Sequence, residues 1–585
     1  MKYKILILLL TAAIYYCHAG TPGIVLNQCG FYPYGPKIAV IINSPASDSF
    51  YIVSADKKDT VFKGELRPPV QSSYSPAVTR IADFSSFTQT GKYIVYVKGL
   101  PSSAIFSVND NVFEALTAAA LKGFYYQRSA MPLEEKYAGQ WKRPAGHPDT
   151  RVLIHPSAAT VTRPAGTVIS CPGGWYDAGD YNKYIVNSGI TMGTLLSAYE
   201  DFPDYFAGLQ TNIPESNNQL PDLLDEILYN LRWMLTMQDP DDGGVYHKCT
   251  NAAFDGQVMP GVTKLPRYVV QKSTAATLDF VAVMAQSARI FRQFPSVLPG
   301  LSDSCLDAAV YAWKWATLHP GIAYDQSAIN ASFSPPVTTG AYGDHFFTDE
   351  RFWAAAELFT TTGKDEYLPA INAYPIHQLQ LASWSNVGML GCYTLMRQYR
   401  SAEPTSQNIP YDLIRDQLFS FAGGLVTNGG NRAFQTMMGQ SSKDYIWGSN
   451  AVALNQSIAL INAYMMSDTT TYLKAALSNL DYVLGRNATG YCFVTGASSK
   501  SPLHIHHRPS RADGIAAPVP GLLAGGPNPG MQDKVPYPFA DPETAFIDDG
   551  KAYACNEIAI NWNAPLVYVS AAFEALQRKA ALSRE

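Results

Sequence analysis

The sequence has few charged residues for its length and no long apolar run after its first 20 residues. Lys, Arg, Asp and Glu together make up 16% of the 585 residues, and the formal net charge is −5. Because no segment is strongly basic, nothing points to a nucleic acid partner or an anionic membrane surface. No later segment offers the roughly 20 apolar residues that a membrane span needs. The sequence therefore favours a neutral ligand and no membrane span.

Cysteine is also scarce, and it is scattered. Eight cysteines are present, one at Cys17 and seven spread between Cys29 and Cys555. This spacing is not that of a disulfide framework, and the odd number after Cys17 leaves at least one thiol unpaired within a monomer. The predicted assembly state is a monomer.

The N-terminus has the three parts of a secretory signal peptide. Two lysines within the first four residues precede the apolar run Ile5–Ile14, and small residues follow at Ala19 and Gly20. We predict that residues 1–20 are removed and that the protein is exported, to the periplasm, the cell surface or the medium. Cys17 leaves lipid anchoring open as an alternative, although the Ile-Tyr-Tyr run before it lacks the small residues that such a signal needs.

Two regions with different periodicity follow the signal. Residues 21–108 contain short alternating runs such as Phe50-Tyr-Ile-Val53 between clusters of Gly, Pro, Ser and Asp, which predict an immunoglobulin-like β-sandwich. From residue 109 to 585 the apolar period is helical, in many blocks separated by long loops. That length suits one large all-α domain arranged as a helical toroid. No Gly/Ser-rich linker separates the two regions, so we expect them to pack rigidly.

The stretch Cys171–Asp180 organises the helical region. It reads Cys-Pro-Gly-Gly-Trp-Tyr-Asp-Ala-Gly-Asp and carries two carboxylates, Asp177 and Asp180, in a turn loosened by glycines. Carboxylates can hold a water and take its proton, while the rings of Trp175 and Tyr176 can stack on the apolar faces of sugars. The combination favours chemistry on a carbohydrate. A Gly-rich turn with an Asp helix cap is the alternative for an isolated Asp-x-x-Asp.

Two further regions carry candidate site residues. The first is Phe546–Pro565, with Asp548, Tyr553 and Glu557. The second is Pro502–Pro509, with His504, His506, His507 and Arg508. Three histidines so close together can bind a metal, but their spacing, followed at once by an arginine, is as well explained by a polar rim.

Together the three regions resemble glycoside hydrolase family 9, the inverting β-glucanases built on an (α/α)6 barrel. The resemblance covers nearly the whole mature chain, and residues 21–108 are similar to the immunoglobulin-like domain that precedes the barrel in one branch of the family. Cys492 and Ser498 depart from the Ser-Phe-Val-Thr-Gly-x-Gly that the family usually has before its histidines. We therefore expect that loop to sit differently here.

The resemblance implies a role for each matched residue. Asp180 is implied as the general base, Asp177 as a second holder of the water, and Glu557 as the general acid. Asp548 is implied as an active-site carboxylate. His506 and Arg508 are implied to bind the sugar around the cleaved bond. The remaining predicted sugar contacts are His507, Trp175, Tyr176, Tyr553 and Trp447.

The resemblance also carries two expectations about metals, and none about a cofactor for the chemistry. Members of this branch often bind structural zinc through cysteines, and the corresponding places here hold Ser129 and Gly146-His147. Because both thiolates are missing, we predict no zinc. Asp349 and Glu350 align with an acidic pair that binds calcium in relatives, so structural calcium is a hypothesis for this pair. The alternative is an acidic helix N-terminus that complements the helix dipole.

The predicted function is a secreted endo-β-1,4-glucanase that hydrolyses cellulose-like glucans or xyloglucan in a single inverting displacement. Two alternatives stay open: an exo-acting β-glucosidase, cellobiohydrolase or glucosaminidase of the same family, and a non-catalytic β-glucan-binding protein. Which β-glucan is cut does not follow from the sequence. Several tryptophans mildly favour an open cleft with multiple sugar subsites, although each can equally lie in the core: Trp175, Trp353, Trp384 and Trp447.

Overall fold

The structure is a computed structural model that describes residues 23–44, 47–401 and 408–582. The predicted signal peptide and Cys17 lie outside these residues. The strands within them are β1 (Gly23–Val25), β2 (Ile38–Ile42), β3 (Ser49–Ser54), β4 (Thr60–Glu65), β5 (Val70–Gln71), β6 (Val78–Asp83), β7 (Gly91–Tyr96), β8 (Phe106–Val108), β9 (Val152–Ile154), β10 (Val168–Ile169), β11 (Lys183–Tyr184), β12 (Lys248–Asn251) and β13 (Arg267–Val269).

The α-helices of the same residues all follow β8. They are α1 (Glu114–Gln127), α2 (Glu135–Ala138), α3 (Ile185–Asp201), α4 (Pro203–Gly208), α5 (Asp222–Thr236), α6 (Thr274–Phe291), α7 (Leu301–Leu318), α8 (Gln326–Ser332), α9 (Thr348–Thr362), α10 (Leu368–Asn372), α11 (Gly388–Ser401), α12 (Tyr411–Asn428), α13 (Ser449–Ser467), α14 (Thr470–Val483), α15 (Arg508–Ala512), α16 (Tyr553–Asn556) and α17 (Ile560–Leu576). Within these ranges no helix is both long and apolar enough to cross a membrane.

Strands β1–β8 form two antiparallel sheets with a shared core. Their strand orders are β1-β2-β6-β5 and β4-β3-β7-β8. In β3, Phe50 and Ile52 are fully buried while Tyr51 between them is only half-buried, which is the alternation that a sheet with one covered face requires. The ring of Phe31 meets that of Phe84 edge-on, with centroids 5.4 Å apart. The predicted β-rich domain at the N-terminus is confirmed.

The long helices of the second region pack as a closed series of neighbours. Helix α3 packs on α6, α6 on α9, α9 on α11, α11 on α12, α12 on α13, α13 on α17, and α17 back on α3. Helices α3, α6 and α17 are buried over almost their whole length, which explains why their sequences are apolar or small on every face. Helix α7 buries a single stripe and packs on the outside of α6. The predicted large helical domain is confirmed.

A small sheet inside the helical region was not predicted from the sequence. Its strand order is β10-β9-β13-β12-β11. Its strands are two to four residues long, too short to give an alternating pattern. The sheet lies immediately before α3, since β11 ends at the residue that precedes this helix. It therefore fixes the entry of the buried helix that follows the Cys171–Asp180 stretch.

Buried hydrogen bonds join the two domains. The Asn27 amide donates to Asp481 over 2.7 Å, and the Tyr32 hydroxyl donates to Glu574 over 2.7 Å. A third contact centres on the buried carboxylate of Glu543, which accepts from the Ser72 hydroxyl at 2.7 Å, from the Ser75 hydroxyl and from a side-chain amide of the helical domain. Each of these three carboxylates thus accepts hydrogen bonds from both domains.

Deleting residues 21–108 should lower the melting temperature and increase the binding of a dye specific for exposed apolar surface. The deletion removes the sandwich donors to Asp481, Glu543 and Glu574, and a buried polar group that loses its partner costs about 1–3 kcal/mol. Scanning calorimetry of the shortened chain measures the change. Asn27→Ala should lower the melting temperature in part, whereas Asp56→Ala, on an exposed turn, serves as the matched control. Unchanged melting and full activity of the shortened chain would contradict rigid packing.

Candidate active site

Backbone pairing brings the three distant motif segments side by side. Ala178 forms an antiparallel bridge with Ala559, and His506 forms a parallel bridge with Glu557. The Gly179 carbonyl accepts the backbone N–H of Arg508 over 3.1 Å. Gly179 has to be glycine, because a Cβ there would lie 2.2 Å from the His506 carbonyl oxygen. Residues that are more than 300 positions apart in the sequence therefore share one site.

Asp180 is held at one of its two carboxylate oxygens. Oδ2 accepts a hydrogen bond from the Tyr184 hydroxyl at 3.2 Å and another from the Asn182 amide. No hydrogen bond reaches Oδ1 from the part of the chain that the structure describes. The residue keeps 6% of its surface exposed. One oxygen thus fixes the side chain, and the other is left to accept a proton from a water.

Asp177 lies beside Asp180 but is enclosed on all sides. Its Oδ1 accepts from the Asn187 amide over 2.6 Å, and its Oδ2 accepts from the Tyr342 hydroxyl over 2.8 Å. Burial and the charge of Asp180 raise the pKa of Asp177 to about 8, although both hydrogen bonds oppose the shift. Near neutral pH, Asp177 therefore carries a proton, and Asp180, which has an oxygen without a hydrogen bond, is the better placed base.

Glu557 has the environment of a general acid. It follows α16 and precedes α17, and its backbone is pinned because Gly525 N–H donates to its carbonyl over 2.8 Å. Burial, followed by the charges of Asp180 and Asp177, raises the pKa of Glu557 well above its usual range. The cation of Arg508 opposes the shift without cancelling it. A carboxyl group in this state keeps its proton until a leaving group takes it.

An aromatic wall stands next to Glu557. The ring of Tyr553 meets that of His506 edge-on at 5.8 Å, and the Trp447 ring lies 5.2 Å from Tyr553 on the other side. Trp447 is 40% exposed and so offers an open ring face. His506 Nδ1 lies 2.7 Å from the Gly550 carbonyl, which only accepts, so Nδ1 carries the proton and Nε2 is left as an acceptor.

Comparison with known proteins finds sequence matches along almost the whole chain. A sequence model described as "Glycosyl hydrolase family 9" matches residues 113–570, and one described as "Cellulase N-terminal ig-like domain" matches residues 19–102. The chain belongs to glycosyl hydrolase family 9. This family-9 enzyme is therefore a glycoside hydrolase with an N-terminal immunoglobulin-like domain, as the sequence motifs predicted.

Relatives of the family-9 enzyme include characterised glucanases and solved structures. The xyloglucan-specific endo-beta-1,4-glucanase of Bacteroides ovatus is 48% identical over 94% of this chain and 93% of its own. Endoglucanase D of Acetivibrio thermocellus is 34% identical over 94% of this chain and 83% of its own. The solved structure "Bacteroides ovatus GH9" has a TM-score of 0.89 at 46% identity and covers 95% of this chain and 99% of its own.

Three predicted sugar contacts of the family-9 enzyme turn out to be enclosed. Trp175 is fully buried and donates from its ring nitrogen to Glu226 at 3.3 Å, and Tyr176 is also buried. His507 is held between Gln127 and the hydroxyl of a serine in α15, and burial lowers its pKa to about 3. None of the three offers a surface to a sugar, so their prediction as substrate contacts is corrected. They instead pack under the loop that carries Asp180.

Arg508 holds the loop that carries Asp180 through a hydrogen bond to its backbone. Its guanidinium donates to the Gly179 carbonyl over 2.8 Å and to the Asp255 carbonyl over 3.0 Å. It also lies over the ring of Phe254, 5.5 Å from the centroid, and that ring is 46% exposed. Arg508 therefore positions the residue before Asp180, and a role in sugar binding stays a prediction.

Asp548 supports the histidine loop. Its two oxygens accept the backbone N–H groups of Leu503 and His504, each at 2.8 Å. The Asn556 amide donates to the same carboxylate over 3.1 Å and precedes Glu557 in the chain. In this structure Asp548 thus joins the loop of His506 to the residue before the acid, and its catalytic role stays a prediction.

Two residues next to the carboxylates were missed by the sequence analysis. Tyr342 donates to Asp177 and packs on the ring of Tyr184, with centroids 4.9 Å apart. Lys248 lies opposite Tyr184 in the small sheet and donates to the Gly340 carbonyl over 2.6 Å. Burial lowers the pKa of Lys248 to about 7, opposed by the charge of Asp180. Neither residue belongs to a recognisable motif, so no sequence signal distinguished them.

Ser129 and His147, named above at the place of a possible zinc site, contact other parts of the protein. The Ser129 hydroxyl donates to the Gly173 carbonyl over 2.7 Å. His147 Nδ1 lies 2.9 Å from the Tyr176 hydroxyl, and its Nε2 lies 3.4 Å from Asp255. Both side chains thus have partners within the protein. The absence of zinc stays a prediction.

A group of buried carboxylates surrounds the candidate calcium pair. Asp349 and Glu350 lie in the first turn of α9. Burial, followed by the charges of Asp349, of Asp279 in α6 and of Asp344, raises the pKa of Glu350 well above its usual range. Both oxygens of Asp279, both of Glu350 and one of Asp344 have no hydrogen-bond partner. Among the described residues no three such groups form a closed metal cage as placed. The donor chemistry nevertheless fits a hard cation such as calcium.

Proposed function

We propose that this protein is an endo-β-1,4-glucanase that cleaves xyloglucan or related β-1,4-glucans with inversion of the anomeric carbon. The observation that carries the proposal is the charge pattern of the site, in which Asp180 keeps an open oxygen while burial keeps Asp177 and Glu557 protonated. An inverting hydrolase needs one carboxylate to activate water and one carboxyl group to protonate the leaving oxygen. The name of the Bacteroides ovatus relative supports xyloglucan as the substrate.

The proposed reaction is a single displacement. Asp180 takes a proton from a water that Asp177 helps to hold, and that water attacks the anomeric carbon from the side opposite the leaving group. Glu557 gives its proton to the leaving oxygen at the same time. Tyr553 and Trp447 supply ring faces on the open side of the site, where sugar units of a chain can stack. His506 Nε2 accepts a hydrogen bond from a sugar hydroxyl beside the cleaved bond.

The proposal also covers architecture and location. The closed series of packed helices supports an (α/α)6 barrel over residues 109–585, preceded by the immunoglobulin-like domain at residues 21–108. The buried hydrogen bonds between the two domains support a rigid pair. Export through a signal peptide at residues 1–20 and a monomeric state complete the proposal. A polysaccharide substrate cannot enter a cell, which is consistent with export.

Sizing of the products from soluble polysaccharides tests the proposed function. We expect xyloglucan to lose chain length rapidly, with oligosaccharides of several sizes, and hydroxyethyl cellulose and mixed-linkage glucan to react more slowly. An Asp180→Asn variant serves as the inactive control. Early release of glucose or cellobiose without loss of chain length would support an exo-acting enzyme instead. Binding of xyloglucan without any cleavage by the wild type would support a glucan-binding protein.

Calcium should raise the melting temperature of the chelated protein if Asp349 and Glu350 hold this ion. Bound calcium would neutralise four buried carboxylates that repel one another, and a ligand that binds only the folded state stabilises it by mass action. Calorimetry with and without millimolar calcium measures the shift. Glu350→Gln should abolish the response, whereas Glu366→Gln, on an exposed turn, should retain it. An unchanged melting temperature would favour the helix-dipole alternative.

A further inference from the structure

Two pairs of cysteine thiols lie side by side in the folded chain. The Sγ atoms of Cys171 and Cys249 are 3.7 Å apart, and both side chains are completely buried. Cys29 and Cys492 also lie close enough for each thiol to shift the pKa of the other, and beside them the Gln28 side chain donates to the Gly490 carbonyl over 2.9 Å. We propose that these two pairs form disulfide bonds when the chain meets a disulfide oxidant. We call Cys171 and Cys249 the base-loop pair, and Cys29 and Cys492 the interdomain pair.

The chemistry is a thiol–disulfide exchange with a small-molecule or protein disulfide. One thiolate of a pair attacks a sulfur of the oxidant and releases the first oxidant thiol, and the partner thiolate then attacks the mixed disulfide and releases the second. The two cysteines lose two protons and two electrons, and the oxidant disulfide is reduced to two thiols. Such oxidants are present where exported proteins fold, so in the cell the bonds depend on the proposed export. Because Cys171, Cys249 and Cys492 are buried, exchange takes place before the chain is fully packed.

The base-loop pair is held in place from both sides. Cys249 lies in β12 opposite Lys183, and the Lys183 ammonium donates to the Cys171 carbonyl over 3.2 Å. The Cys171 N–H donates to the Asp149 carbonyl over 2.8 Å. Burial alone would raise the thiol pKa of Cys249, but its hydrogen bond to Cys171 and the charges of Arg267 and Lys183 outweigh burial and lower it. The Cys171 thiol donates to the Cys249 sulfur over 3.7 Å, and the Cys249 thiol in turn lies 3.6 Å from the Asp149 carboxylate.

The consequence concerns the loop of the catalytic base. Cys171 begins the stretch that ends at Asp180, and Cys249 follows Lys248 on the neighbouring strand. A bond between the two cysteines ties the start of the base loop to the small sheet. The sequence separation of 78 residues also makes this a long covalent loop, which restricts the unfolded chain. The bond should therefore stabilise both the fold and the base loop.

The interdomain pair joins the sandwich to the helical domain. The segment around Cys29 is already docked, since Gln28 N–H donates to the Leu484 carbonyl over 3.0 Å and its side chain donates to the Gly490 carbonyl over 2.9 Å. Cys492 is fully buried, and its N–H donates to the Lys500 carbonyl over 3.0 Å. Its hydrogen bond to Cys29 lowers the pKa of the Cys492 thiol despite burial. Cys492 also departs from the serine usual in the family, which gives this replacement a role.

The remaining cysteines of the described chain provide an internal reference. Cys305 lies in α7, Cys392 in α11 and Cys555 in α16, and all three are buried. The Cys555 thiol contacts the carbonyl oxygens of Ile547 and Ala552, 3.6 and 3.7 Å away. We therefore expect three thiols to stay free when the two pairs are oxidised.

Peptide mapping tests the pairing. The chain without residues 1–20, and hence without Cys17, is refolded with oxidised glutathione, denatured, treated with N-ethylmaleimide without a reductant, digested and examined by mass spectrometry. We expect one peptide that links Cys171 to Cys249 and one that links Cys29 to Cys492, with the alkylating reagent only on the three reference cysteines. Alkylation of all seven cysteines, or links between other cysteines, would overturn the proposal. If only one link forms, the proposal fails for the other pair.

The effect on stability separates disulfides from mere thiol contacts. The melting temperature of the oxidised wild type should fall when a phosphine reductant is added. Cys171→Ser and Cys249→Ser should show the same smaller fall, since only the interdomain pair is left, and Cys171→Ser/Cys492→Ser should show none. Cys305→Ser should keep the full response of the wild type. A reductant response that is absent from the wild type, or that persists in the double variant, would contradict the proposed bonds.

Discussion

Asp180→Asn should lower kcat on every substrate by about 10² to 10⁴-fold, the range expected when a positioned base is lost. The amide is close in shape to the carboxylate but cannot take a proton from water. The hydrogen bond from Tyr184 to Oδ2 can be kept by the amide oxygen, so the fold should be preserved. Because the attack of water fails whatever the leaving group, an activated aryl glycoside should not rescue the variant.

The measurement compares xyloglucan with a dinitrophenyl β-cellobioside under the same conditions. Asp365→Asn, on an exposed turn, is the matched control and should retain wild-type rates. Proton NMR of the first wild-type product should show the α-anomer, since a single displacement inverts the carbon. An initial β-anomer would mean a covalent glycosyl intermediate and would contradict the role of Asp180 as a base.

Glu557→Gln should abolish turnover of unactivated glucans, with a loss of about 10³-fold or more, while the affinity for oligosaccharides is kept. The alkoxide leaving group of a glucan needs the proton that Glu557 supplies. A dinitrophenolate leaves without protonation, so this variant should retain much of the wild-type rate on the activated glycoside. The contrast with Asp180→Asn on the same pair of substrates distinguishes acid from base.

The pH dependence follows from the raised pKa of Glu557. Its folded-state pKa lies well above the usual range, so the group is protonated and active below that pKa and loses activity as the pH rises through it. The wild-type kcat on xyloglucan should therefore have an alkaline limb. That limb should be missing when Glu557→Gln acts on the activated glycoside. Glu366→Gln, with an exposed side chain, is the control, and an unaltered alkaline limb in Glu557→Gln would assign it to another group.

The carboxylates of the site could be predicted from the sequence because each lies in a compact motif. Asp177, Asp180 and Glu557 occur in short signatures, and the structure brings these segments together through the bridges of Ala178 and His506. The β-rich and helical regions could be predicted for a similar reason, since periods of 2 and 3.6 persist along β3 and α6.

The direction in which a side chain faces could not be predicted in the same way. Trp175 and Tyr176 adjoin the base in sequence, but the Trp175 ring packs on Phe124 of α1 and the Tyr176 ring packs on that of His147. Lys248 and Tyr342 reach the site from the small sheet and from the loop before α9. Their contacts arise from tertiary packing, and a single sequence read on its own contains no signal for them.

The carboxylate of Glu543 limits how the two domains can be exchanged between relatives during evolution. Its partners Ser72 and Ser75 come from the sandwich, whereas Asn431 comes from the helical domain. Recombination that exchanges the sandwich for that of a distant relative would strand this acid without its hydroxyl donors. The two domains should therefore be inherited as one unit, and chimaeras built for engineering should exchange Ser72, Ser75 and Glu543 together.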